Sequence, residues 1–226
     1  MLRSVKKKLN MALFPMGFHS AGNCYYYIRN DLAFCLSFDQ PSGMLYSTFH
    51  MIPLYVPCEG RYYTYGNRLN DFPGCPLETL TKTASDQEID VWVDNLQSAL
   101  KSFVFPFFQS VDTPEQLLRF INGDIAAVRP FFHCPPDQLD RLRVFTCLRL
   151  NDYDNLRRAI KQAYDSLSRA SYYIDRVKEE RICELSKMEE LLSDPDFSGG
   201  QFCAGIVAQT TKRCFGNGST KGSFIL

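Results

Sequence analysis

Three consecutive stretches between residues 23 and 52 alternate with a period of two, and short turn sequences separate them. That pattern constrains the fold more than anything else in the chain, because a period of two sends neighbouring side chains to opposite faces of a strand. Cys24 to Arg29 is rich in tyrosine, a good strand former. Arg29-Asn30-Asp31-Leu32 suits a two-residue hairpin turn, since Asn and Asp tolerate positive φ. Leu32, Phe34, Leu36 and Phe38 then alternate with Ala33, Cys35 and Ser37. Asp39-Gln40-Pro41-Ser42-Gly43 marks a second turn, Leu45 to Ile52 a third strand, and Arg61 to Tyr65 a short fourth one. Pro53 and Pro57 interrupt the ladder.

With Arg29 facing Leu32 across the first turn and Asp39 facing Met44 across the second, one face carries Tyr25, Tyr27, Leu32, Phe34, Leu36, Phe38, Leu45, Phe49 and Met51. It is strongly apolar and needs a cover. The other face carries Tyr26, Ile28, Ala33, Cys35, Ser37, Tyr46, Thr48, His50 and Ile52, a mixture of aromatic, small and polar groups. A slip of one residue would exchange the two sets.

Helical periods flank this sheet. Leu2, Val5, Leu9, Ala12, Leu13 and Met16 recur at steps of three and four, predicting a helix over 2–16 that covers the apolar face. Residues 66–85 read as loop, crowded with Gly, Asn and Pro. From 86 onward the chain reads as helix. Ser85 and Glu88 form a capping-box pattern, and Ile89, Trp92, Val93, Leu96, Leu100, Phe103 and Phe107 mark a buried stripe. Pro106 should kink or end that helix. Thr113-Pro114 opens another, Asn151-Asp152 joins two longer ones, and a last helix over 200–215 stops at Gly216. The charged run Glu179, Glu180, Arg181, Glu184, Lys187, Glu189 and Glu190 reads as a solvated face. The expected architecture is therefore α+β: an N-terminal helix on a three- to four-stranded antiparallel hairpin sheet in residues 1–80, then an all-helical region in 81–226, with one core shared between them.

Composition narrows the function classes. Twenty-five basic residues balance twenty-five acidic ones, whereas dedicated nucleic-acid binders carry a basic excess. No apolar run reaches the roughly 18 residues of a membrane span. The nine cysteines are odd in number and no secretory signal is apparent, so reduced thiols in the cytoplasm are expected. No cysteine pair has the close spacing of a turn-borne zinc site, and neither a metal nor any cofactor is expected. Phosphate loops, dinucleotide turns, nucleophile elbows and zincin motifs are all missing.

One constellation with chemistry remains. In the register above, Cys35 faces Thr48 and Ala33 faces His50, so Cys35 and His50 sit diagonally on the mixed face, roughly 6–8 Å apart at Cβ. A thiol beside an imidazole can act as a nucleophile, but no orienting group or oxyanion donor accompanies this pair; a half-buried second layer accounts for it as well. Tyr26, Tyr46, Thr48 and His50 on that face, with Arg68 near the sheet end, form a candidate ligand- or partner-binding surface. Tyrosine supplies contact area at low rotamer cost, and guanidinium grips carboxylate or phosphate.

The stretch Met16-Gly17-Phe18-His19-Ser20-Ala21-Gly22-Asn23-Cys24-Tyr25-Tyr26 follows a short helix. With Ile52-Pro53-Leu54-Tyr55-Val56-Pro57 and Tyr65-Gly66-Asn67-Arg68-Leu69, it resembles an uncharacterised bacterial family, the domain of unknown function 4304. The resemblance covers residues 5–69 and departs at His19, where Lys or Arg is more usual, and in the helical tail. It implies an α+β fold and supplies no activity; some families of this general style act as immunity or interaction modules, which is an analogy of fold alone. The leading expectation is a cytosolic, non-catalytic module that binds a protein partner. The alternative is a small-molecule or hydrolytic site using Cys35, His50 and Arg68.

Overall fold

The computed structural model describes residues 3–58, 65–71, 75, 77–171 and 175–216. Its elements in chain order are α1 (Arg3–Leu13), β1 (His19–Ala21), β2 (Cys24–Arg29), β3 (Leu32–Asp39), β4 (Met44–Pro53), β5 (Tyr65–Arg68), β6 (Leu80–Thr81), α2 (Asp86–Ala99), α3 (Phe105–Ser110), α4 (Pro114–Ile121), α5 (Ile125–Val128), α6 (Pro136–Arg149), α7 (Tyr153–Arg169), α8 (Asp175–Leu191) and α9 (Gly199–Phe215). The fold is α+β, with an antiparallel sheet ordered β1-β2-β3-β4-β5 and β6 paired to the start of β4. No helix among the described residues is long and apolar enough to cross a membrane.

The first hairpin is built as its turn sequence demands. Asn30 and Asp31 both take positive φ, 50° and 63°, the twist that matches a two-residue connection, and Arg29 faces Leu32. The second hairpin differs from the expected register by two residues: Asp39 faces Tyr46, not Met44. Residues 41–43 form a short 3-10 turn with Ser42 at φ 54°. Met44 and Leu45 leave the hairpin to pair with Thr81 and Leu80. An even shift preserves every side chain's face, so Phe34 and Phe49 still share the apolar flank. A strand is described at Tyr65–Arg68; residues 61–64 of the expected fourth strand fall outside the described residues, as does the tail from 217. β5 and β6 both occupy what the sequence suggests is loop, and β1 is an edge strand it does not announce.

The apolar face is covered from two directions. Val5, Leu9 and Leu13 of α1 join its cluster, and the buried Tyr25 hydroxyl donates to Asn10 Oδ1 at 2.6 Å. The π-wound turn Leu100–Val104 carries α2 into α3, so Pro106 sits in the first turn of a continuing helix instead of ending one. Rings of α2 and α3 then meet the sheet: Phe38 with Trp92 at 6.2 Å, Phe34 with Phe108 at 4.7 Å and Phe49 with Phe107 at 6.0 Å between centroids. The helix starts follow their capping signals, with complete capping boxes at Ser85/Glu88 and Thr113/Gln116.

α6 and α7 form a hairpin about Asn151, at φ 55°, with Asp152 capping α7 through the Asn155 N–H. Arg149 at the end of α6 pairs with Asp31 in the first sheet turn at 2.8 Å, which ties the helical half to the sheet. α9 begins against α6, where a Cβ on Gly199 would stand 2.3 Å from the Leu148 carbonyl oxygen; only glycine allows that approach. From there α9 runs across the mixed face, and its Cys214, Val207 and Phe215 pack with Cys24, Tyr26, Ile28, Ala33, Cys35 and Ile52.

Candidate functional site

Strand parity puts Cys24, Tyr26, Cys35, Thr48 and His50 on one face, but the structure divides them between two environments. The inner part lies under α9. Cys35 and His50 stand directly opposite each other on β3 and β4, closer than the diagonal placement expected, because of the two-residue register difference. Both side chains are 0% exposed. Cys24 on β2, also buried, completes a group: the thiols of Cys24 and Cys35 and the imidazole of His50 have ligating atoms all within 4.8 Å of one another. Cys24 was legible from parity alone, being two residues before Tyr26, yet sequence spacing drew no attention to it.

Tyr26 belongs to this inner part and is not a surface residue. It faces Cys35 across β2–β3 and lies beneath Phe215, ring on ring at 4.0 Å. Gly66 on β5 closes the fourth side of the pairing at His50. A Cβ at Gly66 would fall 2.2 Å from the Phe49 carbonyl oxygen and 2.4 Å from His50 Cβ, so β5 reaches this position only without a side chain.

The outer part lies at the exposed end of the same face. Thr48 faces Ser37 on one side and Arg68 on the other, and the Arg68 guanidinium stands over the Tyr46 ring at 4.7 Å. Thr48, Asn67, Arg68, Asp71 and His133 line a shallow depression. His133 is placed there by its backbone N–H donating to the Gly66 carbonyl at 3.1 Å. Tyr46, Thr48 and Arg68 are thus brought together, Thr48 itself buried beneath the other two, while Cys35 and His50 are enclosed completely one pairing step further along the face. Tyr62 and Tyr63, on the expected fourth strand, lie outside the described residues.

A third feature was not anticipated. A cavity of about 490 Å³ opens between the end of β4 and α6, α8 and the end of α9. Met51, Ile52, Val56 and Val177 give it an apolar floor, and Arg141, Arg181, Glu180, Glu184 and Arg213 give it a charged wall. Arg141 is held in a fork: its Nε and Nη2 donate to the two Glu184 oxygens at 2.8 and 2.7 Å, and Nη2 also donates to the Pro57 carbonyl. Glu184 therefore leaves the solvated face expected of α8, although Arg176 and Glu180 do form an exposed pair four residues apart. Burial alone would raise the Glu184 carboxyl, but hydrogen bonds and charge from Arg141, with Arg181 beside it, hold it below the ordinary value of 4.5.

No family model, curated protein or solved structure matches the chain.

Proposed function

We propose that this protein is a non-catalytic module that binds a polypeptide partner in the groove between β4 and α8. The observation that carries the reading is the makeup of that groove: an apolar floor, with a wall in which three arginines face two glutamates. Glu180 is engaged by Arg176, and Glu184 by both Arg141 and Arg181. The balance favours a partner segment with apolar anchors and acidic flanks, since Arg is the cation best suited to fork a carboxylate at an interface. Immunity-type neutralisation of a toxin is one such role. Kinship with the domain of unknown function 4304 and a cytoplasmic setting belong to the same proposal; they rest on the residues quoted above and on nine cysteines without a disulfide among the described ones.

Hydrolysis by Cys35 and His50 has less support. A substrate must touch the nucleophile, and both groups are sealed. Arg68 grips nothing near them: it stands at the sheet edge over Tyr46.

The test is co-purification from the source cells with tagged full-length chain, compared with Val177→Asp and Arg213→Glu variants whose thermal melts match the parent. The reading requires a defined partner that the parent retains and both variants lose. Equal recovery by parent and variants overturns it, as does esterase or thioesterase turnover abolished by Cys35→Ser.

A further inference from the structure

We propose that Cys24, Cys35 and His50 hold a zinc ion beneath α9. The three residues come from three adjacent strands, and the pairings Tyr26↔Cys35 and Cys35↔His50 aim them at one point of the mixed face. Their ligating atoms all lie within 4.8 Å of one another, and all three side chains are buried. Around a tetrahedral zinc, with Zn–S near 2.3 Å and Zn–N near 2.0–2.1 Å, neighbouring ligand atoms stand about 3.5–4 Å apart. Closing the group onto an ion therefore asks for side-chain shifts on the order of 1 Å, with no rearrangement of the strands.

The donor set selects the metal class. Two thiols and an imidazole suit zinc or copper(I), while calcium and magnesium require carboxylate and carbonyl oxygens that this group lacks. The surroundings choose between the first two. The chamber wall is Tyr26, Ile28, Ala33, Ile52 and Leu54, an environment that penalises net charge. Two thiolates and a neutral imidazole make an electrically neutral complex with Zn²⁺ but an anionic one with Cu⁺. On binding, the two Cys S–H bonds break, their protons pass to solvent and two S–Zn bonds form. Three protein ligands leave the fourth tetrahedral position to a water molecule; Cys214 of α9 is buried in the same cluster but is not part of the convergent group.

Spacing rules miss such a site because they look for ligands on one turn. Here register supplies the convergence, with ligands 11 and 15 residues apart along the chain (Cys24, Cys35, His50). The ion would cross-link β2, β3 and β4 and fix the floor on which α9 rests. This proposal does not depend on the groove between β4 and α8, and the variants that test the two share no residue.

The experiment is metal analysis of the full chain, purified under reducing conditions without chelator and incubated with zinc sulfate before desalting. About one zinc per chain is expected. Replacement by Co²⁺ should give the thiolate-to-cobalt charge-transfer band and the intense visible bands of a tetrahedral site. Cys24→Ser and His50→Ala should each lose most of the metal, while Cys183→Ser, at an exposed residue of α8, should keep it. Zinc below about a tenth of an equivalent in the parent chain overturns the proposal whatever the variants do. Undiminished metal in both Cys24→Ser and His50→Ala overturns it too. Should a variant fail to fold, the cobalt spectrum of the parent decides: absence of the thiolate band rejects the site.

Discussion

The ring of Phe215 lies on that of Tyr26, with centroids 4.0 Å apart and planes 21° from parallel. Phe215 is the last residue of α9, and Gly216 follows at φ 79°, stopping the helix there. The stack therefore pins the end of α9 to the middle of β2 and closes the chamber holding Cys24, Cys35 and His50. Phe215→Ala should cost about 1–2 kcal/mol, the sum of a partly buried ring and an aromatic pair. Its more telling effect is local. With metal chelated, alkylation of Cys35 in native protein should accelerate by more than the change in global stability allows, as measured by mass spectrometry of labelled peptides. Unchanged Cys35 labelling would mean that α9 is held elsewhere.

Arg141 and Glu184 form the other closure, joining α6 to α8 in a two-point fork. Removing Arg141 leaves the largely buried Glu184 with only its 3.2 Å pair to Arg181, and Arg141→Met should destabilise by about 1–3 kcal/mol. The pair also sets a pH dependence. Because the folded Glu184 carboxyl sits below its ordinary 4.5, its contribution is complete above that value and is lost as pH falls below it. Chemical denaturation between pH 6 and pH 3 should therefore show a shallower acid loss in Glu184→Gln than in the parent. Parallel curves would remove this pair from the acid response.

The faces of the sheet were legible in the sequence because alternation survives any even change of register, and Phe34, Phe49, Cys35 and His50 all lie on the flanks their parity assigns. The contact between Cys35 and His50 was not, because loop length decides register and residues 41–43 wind into a 3-10 turn that parity cannot see. Alternation did send α1 to the apolar face, but which of the later helices covers which face was hidden. Both α3 and α9 offer apolar stripes, and only the Gly199 approach to Leu148, together with the Arg149–Asp31 pair, sends α9 to the mixed side. The groove escaped for a related reason: Glu184 looks like its solvated neighbours until α6 brings Arg141 to it.

Gly66 is where the edge strand meets His50. Alanine there places Cβ 2.2 Å from the Phe49 carbonyl oxygen and 2.4 Å from His50 Cβ, and neither the backbone nor a Cβ fixed to it can yield without moving β4 or β5. Gly66→Ala should cost about 3 kcal/mol or more, near the upper end for overpacking. Hydrogen exchange should show the loss concentrated in β4 and β5, while α7 and α8 exchange at rates set by the global change alone. A loss spread evenly would point to a general defect instead of a local clash.

Two buried thiols and one half-buried thiol away from the sheet give the chain an alkaline weakness. Burial pushes Cys134 up to about 12, Cys147 to about 11 and Cys203 to about 12, all from an ordinary 9.0. The folded chain therefore holds these protons where the unfolded chain has released them. Their contribution is complete below pH 9.0 and declines as pH climbs from there toward 11, because the unfolded state gains by ionising first. Cys147→Val, close in volume and without a proton to lose, should reduce the slope of stability against pH over that window by up to one proton per chain. Denaturant melts at pH 8, 9 and 10 measure it, with Cys183→Ser as the exposed control. The same burial keeps the thiolate fraction of Cys147 at pH 8 to roughly one part in a thousand, so an alkylating reagent should modify Cys183 well before it. Rapid labelling of Cys147 in the folded chain would show that α6 opens on the timescale of the reaction.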